Sequence, residues 1–211
     1  MLHNGSHIAA PTVAVAYHSG FGHTAVLAEA VAAGAVDAGA DVTMVAVGAM
    51  TDEAWDVLDG ADAIVFGSPT YMGNVSAAFQ SFAEQTGRRC IDGTWSDKVA
   101  AGFTNSGGRS GDKLNTLTSL AVFAAQHRMH WVSLGLPPGH NSSFGSEDDL
   151  NRLGFFLGAG AQTDVDAPPD GVHPSDVATC RHLGQRVAAT TRQLNLGRAV
   201  SSPEATSAPA R

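Results

Sequence analysis

Three short stretches of the chain combine residue types that can hold an anion and a flat polar ring. The first is Ser19-Gly20-Phe21-Gly22-His23-Thr24. Hydroxyls at both ends and glycines between them let backbone N–H groups converge on an anion at the start of a helix, where the helix dipole adds to their pull. The stretch lacks the Gly-Lys-Ser/Thr of a Walker A loop, and Gly-x-Gly alone does not make a dinucleotide fingerprint. An ordinary strand-to-helix turn has a similar composition. The second stretch is Gly67-Ser68-Pro69-Thr70-Tyr71-Met72-Gly73-Asn74. Pro69 stiffens it, Gly73 admits unusual dihedrals, and Tyr71 and Met72 offer flat or polarizable surface. A planar heterocycle with hydrogen-bonding edges suits it, although Tyr71 and Met72 taken singly read first as packing residues. The third is Thr104-Asn105-Ser106-Gly107-Gly108-Arg109-Ser110-Gly111, whose small residues expose backbone donors and acceptors.

These stretches need elements that bring them together. Residues 12–17, 62–66 and 98–103 are short apolar runs of the kind that form strands buried on both faces. Residues 41–47 add a strand with Val42, Met44 and Ala46 on one face, and Trp131 to Leu134 add a fifth. Helical spacing runs from Thr24 to Asp37 through Leu27, Ala30, Val31, Gly34 and Ala35. Thr51 can cap a helix through Leu58, and Asn74 one through Gln85. Further helices are expected at 112–127 and 174–194, and Ser146 to Gly154 starts like a capped extra helix. Alternating strands and helices predict an α/β fold, a doubly wound five-stranded parallel sheet with helices on both faces. The order 2-1-3-4-5, flavodoxin's own order, places ligands beyond the carboxyl ends of the strands at the switch between the first and third. The three polar stretches follow the first, third and fourth strands, so they ring one crevice.

The 211 residues suit one domain, expected over 12–196, with an extension at 1–11 (native or left by cloning) and a flexible tail at 197–211. A formal charge of −8 argues against nucleic acid or anionic membrane as partner, and no apolar run reaches the roughly 20 residues of a membrane helix. The absence of a secretory pattern makes a cytoplasmic location the default expectation. Cys90 and Cys180 fall in different elements and read as reduced. No spacing of His, Asp or Glu suggests a metal site.

The same motifs give the sequence a family resemblance. It resembles the flavodoxin-like NAD(P)H:quinone oxidoreductases, the group named after the tryptophan-repressor-binding protein. Tyr17, Ser19, Gly22 and His23 match the group's Tyr-x-Ser-x-x-Gly-His loop. Gly67, Ser68, Pro69, Thr70, Gly73 and Asn74 match its Gly-(Ser/Thr)-Pro-Thr-x-x-Gly-Asn loop, and Phe82, Gln85, Thr86 and Gly87 its Phe-x-x-Gln-Thr-Gly helix end. Phe103, Ser106, Gly107, Gly108, His127, Met129 and Pro174-Ser175 add weaker similarity, so the resemblance spans about 12–195. It implies FMN as cofactor, with Ser19, Phe21, Gly22, His23 and Thr24 on the phosphate. Pro69, Thr70, Tyr71, Met72, Gly73 and Asn74 would border the isoalloxazine, and Thr104, Asn105, Ser106, Gly107 and Gly108 its pyrimidine edge. His127 would stand on the substrate side as the catalytic residue, from the same or a neighbouring subunit. The chain departs from the group in a shorter link between the second and third strands, in Cys90 where many members carry an aromatic residue, and in residues 135–173.

The implied activity is ping-pong passage of a hydride from NAD(P)H to a small quinone-like acceptor, in a homodimer or homotetramer. Flavin carries that chemistry, while the protein binds, orients and tunes. The alternatives are a flavodoxin-type one-electron carrier serving protein partners, and a flavin-free interaction scaffold. A carrier's phosphate loop usually reads Thr-Gly-x-Thr, which Ser19–Thr24 does not.

Overall fold

Alternation within each apolar run decides the architecture. The computed structural model describes residues 9–201, so most of the expected extension and tail lies outside the described residues. In Thr12–Tyr17 (β1), Val13 and Val15 enter one hydrophobic core while Ala14 and Ala16 enter another on the opposite face. Ala63–Tyr71 (β3) divides in the same way, Ala63 and Val65 against Ile64 and Phe66. Val99–Ser106 (β5) follows, with Val99, Ala101 and Phe103 on the first side and Ala100 on the second. A strand buried on both faces must lie between two helical layers, which is the doubly wound arrangement. The first layer is His23–Asp37 (α1) and Pro174–Ser201 (α6); the second is Asp52–Gly60 (α2), Ala77–Gln85 (α3) and Lys113–Gln126 (α5).

The strands run parallel in the order β2-β1-β3-β5, with Asp41–Ala46 (β2) at one edge. That is the expected flavodoxin-like order. As an edge strand β2 leaves Met44 and Ala46 exposed; its buried valine is Val45, joined by Val47 just beyond it. The expected fifth strand is split. His130–Trp131 (β6) pairs with β5 only at Val99 and Ala100, and Ala159–Gln162 (β7) takes over beside Phe103 to Ser106. Gly135, at φ 71, and the Pro137-Pro138 pair lead the chain off the edge before β7 restores it.

The second polar stretch is more ordered than a loop. β3 continues through Tyr71, then Met72 and Gly73, at φ 49 and 82, turn the chain into the two-residue strand Asn74–Val75 (β4). Two positive φ values in a row are what a type I′ hairpin needs. Asn74 is therefore no helix cap. Its Oδ1 accepts from Val75 N and Ser119 Oγ, and α3 is capped by Ser76, whose Oγ accepts from Phe79 N at 3.2 Å. The short Gly87–Asp92 helix (α4), not foreseen, follows α3. Thr51 does cap α2, accepting from Ala54 N.

Residues 146–154 form successive turns rather than the expected helix. Asn151 sits at φ 54, and Arg152 is drawn inward onto Asp176 at the start of α6. Arg152 meets both Asp176 oxygens at 2.7–2.8 Å and Glu147 at 2.6 Å, while Asp176 also accepts from Gln162 N at 2.9 Å. This buried network satisfies the ions that burial would otherwise penalise and ties the 147–152 turns and β7 to α6. Helix α6 outruns its expected end at Leu194, reaching Ser201, and it crosses α1 in backbone contact near its first half. A Cβ on Gly184 would stand 1.9 Å from the Val31 carbonyl, and one on Gly34 1.9 Å from that of Arg181.

Candidate functional site

At the carboxyl ends of β1, β3 and β5 the chain forms a crevice of about 300 Å³, near the lower end of ligand pockets. The side formed by the first loop is set by Ser19, whose Oγ accepts from Gly22 N at 3.1 Å and from Ala25 N at 3.2 Å. Those bonds fold the chain into a turn that ends on Gly22 at φ 93, the N-cap of α1, which makes no side-chain cap. The amides of His23 and Thr24 at the first turn have no acceptor among the described residues. A Cβ on Gly22 would lie 2.6 Å from Pro169, so glycine is needed for both dihedral and space. Free amides at the start of a fifteen-residue helix can hold an anion. Among the described residues, no carboxylate lines the crevice to oppose a negative ligand.

Of the residues expected here, Phe21, His23, Thr24, Pro69, Thr70, Tyr71, Asn105, Ser106 and Gly107 line this one crevice. Ser19 and Gly22 shape the loop from behind, and Thr104 lies beneath the floor, its hydroxyl 2.8 Å from that of Thr70. Thr70 donates on to Thr116, which fixes the floor to α5. Phe21 and Tyr71 meet edge to face, 6.3 Å between ring centroids, at the mouth with Val165, Phe21 and Val165 largely open to solvent and Tyr71 about a third open. Gly108 belongs to the turn after β5, and Met72, Gly73 and Asn74 form the hairpin tip beyond the mouth.

Sequence reasoning missed the fourth wall. Thr163 and Val165 line the crevice just after β7; Thr163 Oγ1 donates to Asn105 Oδ1 at 3.0 Å, and Gln162 Nε2 to the Gly107 carbonyl at 3.0 Å. His23 Nε2 donates to the Ala167 carbonyl at 2.8 Å, which joins the first loop to the same wall. The one signal was the polar Gln162-Thr163-Asp164 after the small-residue run Ala159-Gly160-Ala161, too short to register as a strand.

His127 is not brought to this crevice. It caps the carboxyl end of α5, a helix of fourteen residues that starts behind the crevice and carries the chain about 21 Å away. There it lines a separate cavity of about 490 Å³ between α3, α4 and α5. Its ring lies 4.6 Å from Trp95 and 4.9 Å from Phe123, and its Nε2 is 2.9 Å from Thr86 Oγ1. Thr86 donates to Ala83 O, so Nε2 carries the proton, and the buried Nδ1 has no partner among the described residues. Burial, then the Arg128 charge, lowers its pKa to about 4, so the imidazole is neutral near neutral pH. Cys90 lines the same cavity, its thiol donating to the Gln126 carbonyl; it and Cys180 are both free thiols.

Comparison with known proteins gives the family. The profile of the NADPH-dependent FMN reductase family matches residues 15–137. Flavodoxin FldP of Pseudomonas aeruginosa is 41% identical over 181 residues, 86% of this chain and 97% of its own length. An NAD(P)H dehydrogenase (quinone) of Archaeoglobus fulgidus is 32% identical, covering 86% and 98% of the two chains. Among solved structures, the flavodoxin, WrbA-like protein from Agrobacterium tumefaciens superposes with a TM-score of 0.69 at 39% identity, over 87% of this chain and 98% of that one.

Proposed function

The chain belongs to the NADPH-dependent FMN reductase family, a flavodoxin-fold group of flavin oxidoreductases, and from that premise we propose that it binds FMN in the crevice and passes reducing equivalents from NAD(P)H to a quinone-like acceptor. The observation that carries the reading is the pair of free amides at His23 and Thr24, opening α1 at the end of a crevice whose other walls are the β3 and β5 stretches. Their donors, the Thr24 hydroxyl and the left-handed Gly22 fit a phosphate monoester. Pro69, Thr70 and Tyr71 fit the side of a flat ring, and the polar backbone of 105–107 fits its pyrimidine edge.

When bound, FMN supplies hydride and two-electron chemistry that no side chain here provides. The chain's own residues anchor and orient. Ser19 holds the phosphate turn open, the Thr104–Thr70–Thr116 hydroxyl chain fixes the floor, and Gln162 holds the Gly107 carbonyl. Amides and hydroxyls at the pyrimidine edge favour negative charge there. The apolar mouth of Phe21, Tyr71 and Val165 suits a flat, weakly polar acceptor that takes its turn after the nicotinamide has left. His127 reaches such a mouth only from a second copy, because α5 holds it about 21 Å from its own crevice.

A second reading has one observation of its own: the relative at 41% identity is named a flavodoxin, and a carrier of single electrons needs no acceptor pocket. Mixing experiments separate the two. With FMN bound, NADH or NADPH should bleach the flavin in one two-electron phase, benzoquinone should restore it, and steady-state data should give the parallel double-reciprocal lines of a ping-pong course. Flavin that stays oxidised for minutes under excess of both nucleotides would replace the enzyme by the carrier.

A further inference from the structure

Lys113 opens α5 directly behind the turn that follows β5, and none of its surface reaches solvent. Its Nζ donates to Ser106 Oγ at 2.7 Å, to the Arg109 carbonyl at 3.2 Å and to the Gly108 carbonyl. All three ammonium donors are taken, and every acceptor is neutral. No carboxylate among the described residues makes an ion pair with it. Asp176 of α6 acts on it as an anion, but Arg152 already grips that carboxylate with two bonds, and the two charges oppose each other at Lys113. The flanking groups face elsewhere: the Arg109 guanidinium lies on Glu147, and the Asp112 carboxylate points toward the Met72-Gly73 turn. An ammonium held by neutral oxygens in the interior is costly, and burial lowers the Lys113 pKa to about 8.

What lies in front of this charge is the crevice wall, because Ser106 and Gly107 line the crevice. With Lys113 donating to Ser106 Oγ, the serine's own proton has only the Gly108 carbonyl at 3.3 Å, longer than an ordinary hydroxyl hydrogen bond. That proton can turn to an acceptor in the crevice. We propose that Lys113 is a positioning residue that makes this wall select the anionic edge of a two-electron-reduced flavin over the neutral oxidised ring, acting through the Ser106–Arg109 turn. The proposal rests on the FMN reading. A hydride from the nicotinamide brings two electrons and one proton, so the ring gains one negative charge, and Lys113 is the fixed positive charge behind the pyrimidine side that meets it.

A loop anchor alone would alter FMN affinity without altering the potential, so the potential is the readout. In FMN-loaded Lys113→Met, reduced flavin should bind about tenfold less tightly relative to oxidised flavin, which lowers the two-electron midpoint potential by about 30 mV. A loaded variant with the wild-type potential would overturn the proposal and leave the FMN reading standing. The wild-type protein supplies a test that does not depend on the variant folding. Below about pH 8, over the range in which the reduced ring is anionic, its potential should fall by about 30 mV per pH unit, one proton per two electrons. Above about pH 8 the deprotonated Lys113 regains its proton on reduction, and the slope should steepen to about 60 mV per pH unit. A line straight through that region rejects Lys113 as the countercharge. A wild-type protein that fails to retain FMN rejects the cofactor reading itself, and this proposal with it.

Discussion

The two concavities of this molecule are built from opposite materials. The crevice at the strand ends is made of backbone: a left-handed glycine, free helix-start amides, a hairpin with two positive φ values and a turn pinned by a buried lysine. The cavity between α3, α4 and α5 is made of side chains, with Phe79 and Phe123 in its wall, Trp95 behind, and one neutral imidazole. Backbone donors can hold an anion where side chains are small, because they cost no rotamer entropy and point where the fold points them. Aromatic walls hold shape and exclude water, and they make charge expensive, which is why His127 is kept neutral while Lys113 stays cationic near neutral pH. A mutation should therefore move stability in one region and ligand affinity in the other.

The largest effect is expected in the aromatic region. Phe79 is buried against Phe66, Phe82 and Phe123, with ring centroids 5.6–6.1 Å away. Phe79→Ala should cost about 3–5 kcal/mol in urea unfolding of the flavin-free protein, with FMN affinity of the folded variant unchanged. A parallel loss of flavin binding would show that the two regions are one cooperative site. Next comes the backbone region. Gly22→Asp puts a carboxylate and a Cβ at a left-handed cap, and FMN affinity should fall roughly tenfold to a thousandfold, about 1.4–4 kcal/mol. Because the injury is to the phosphate contact, riboflavin binding should change far less; an equal loss for both ligands would move the phosphate elsewhere.

The smallest effect concerns protons. His127 titrates near 4 when folded against an ordinary 6.5, so between those values the unfolded chain binds the extra proton. Stability is then fully present above pH 6.5 and falls as pH drops toward 4, by no more than about 3 kcal/mol. Unfolding of His127→Gln across that window should show a shallower decline than wild type. Identical slopes would mean that the imidazole is not buried as a neutral group.

The crevice was legible in the sequence because its parts are local. A Gly between a hydroxyl and a helix start, a Pro-Thr run before Gly-Asn, and a Gly-Gly after a strand each announce their backbone geometry within eight residues. Asn74 shows the limit of that reading: it is a good cap by type, yet the hairpin turn at Met72-Gly73 places it in a strand and hands the cap to Ser76. Residues 146–154 show another, since Ser-Glu-Asp-Asp reads as a helix start while Arg152 finds a better partner in Asp176, twenty-four residues on.

The sequence by itself determined the alternation of strands and helices, the parallel sheet and the three stretches that meet at its carboxyl edge, because periodicity and turn chemistry act over a few residues. Only the tertiary structure decided that β7 completes the edge, that Thr163 and Val165 close the crevice, that Lys113 stands behind its wall, and that His127 belongs to another surface. Those are contacts between segments far apart in the chain or spaced by the length of a helix. They are fixed by which groups can share burial once the layers close, and no local pattern encodes that.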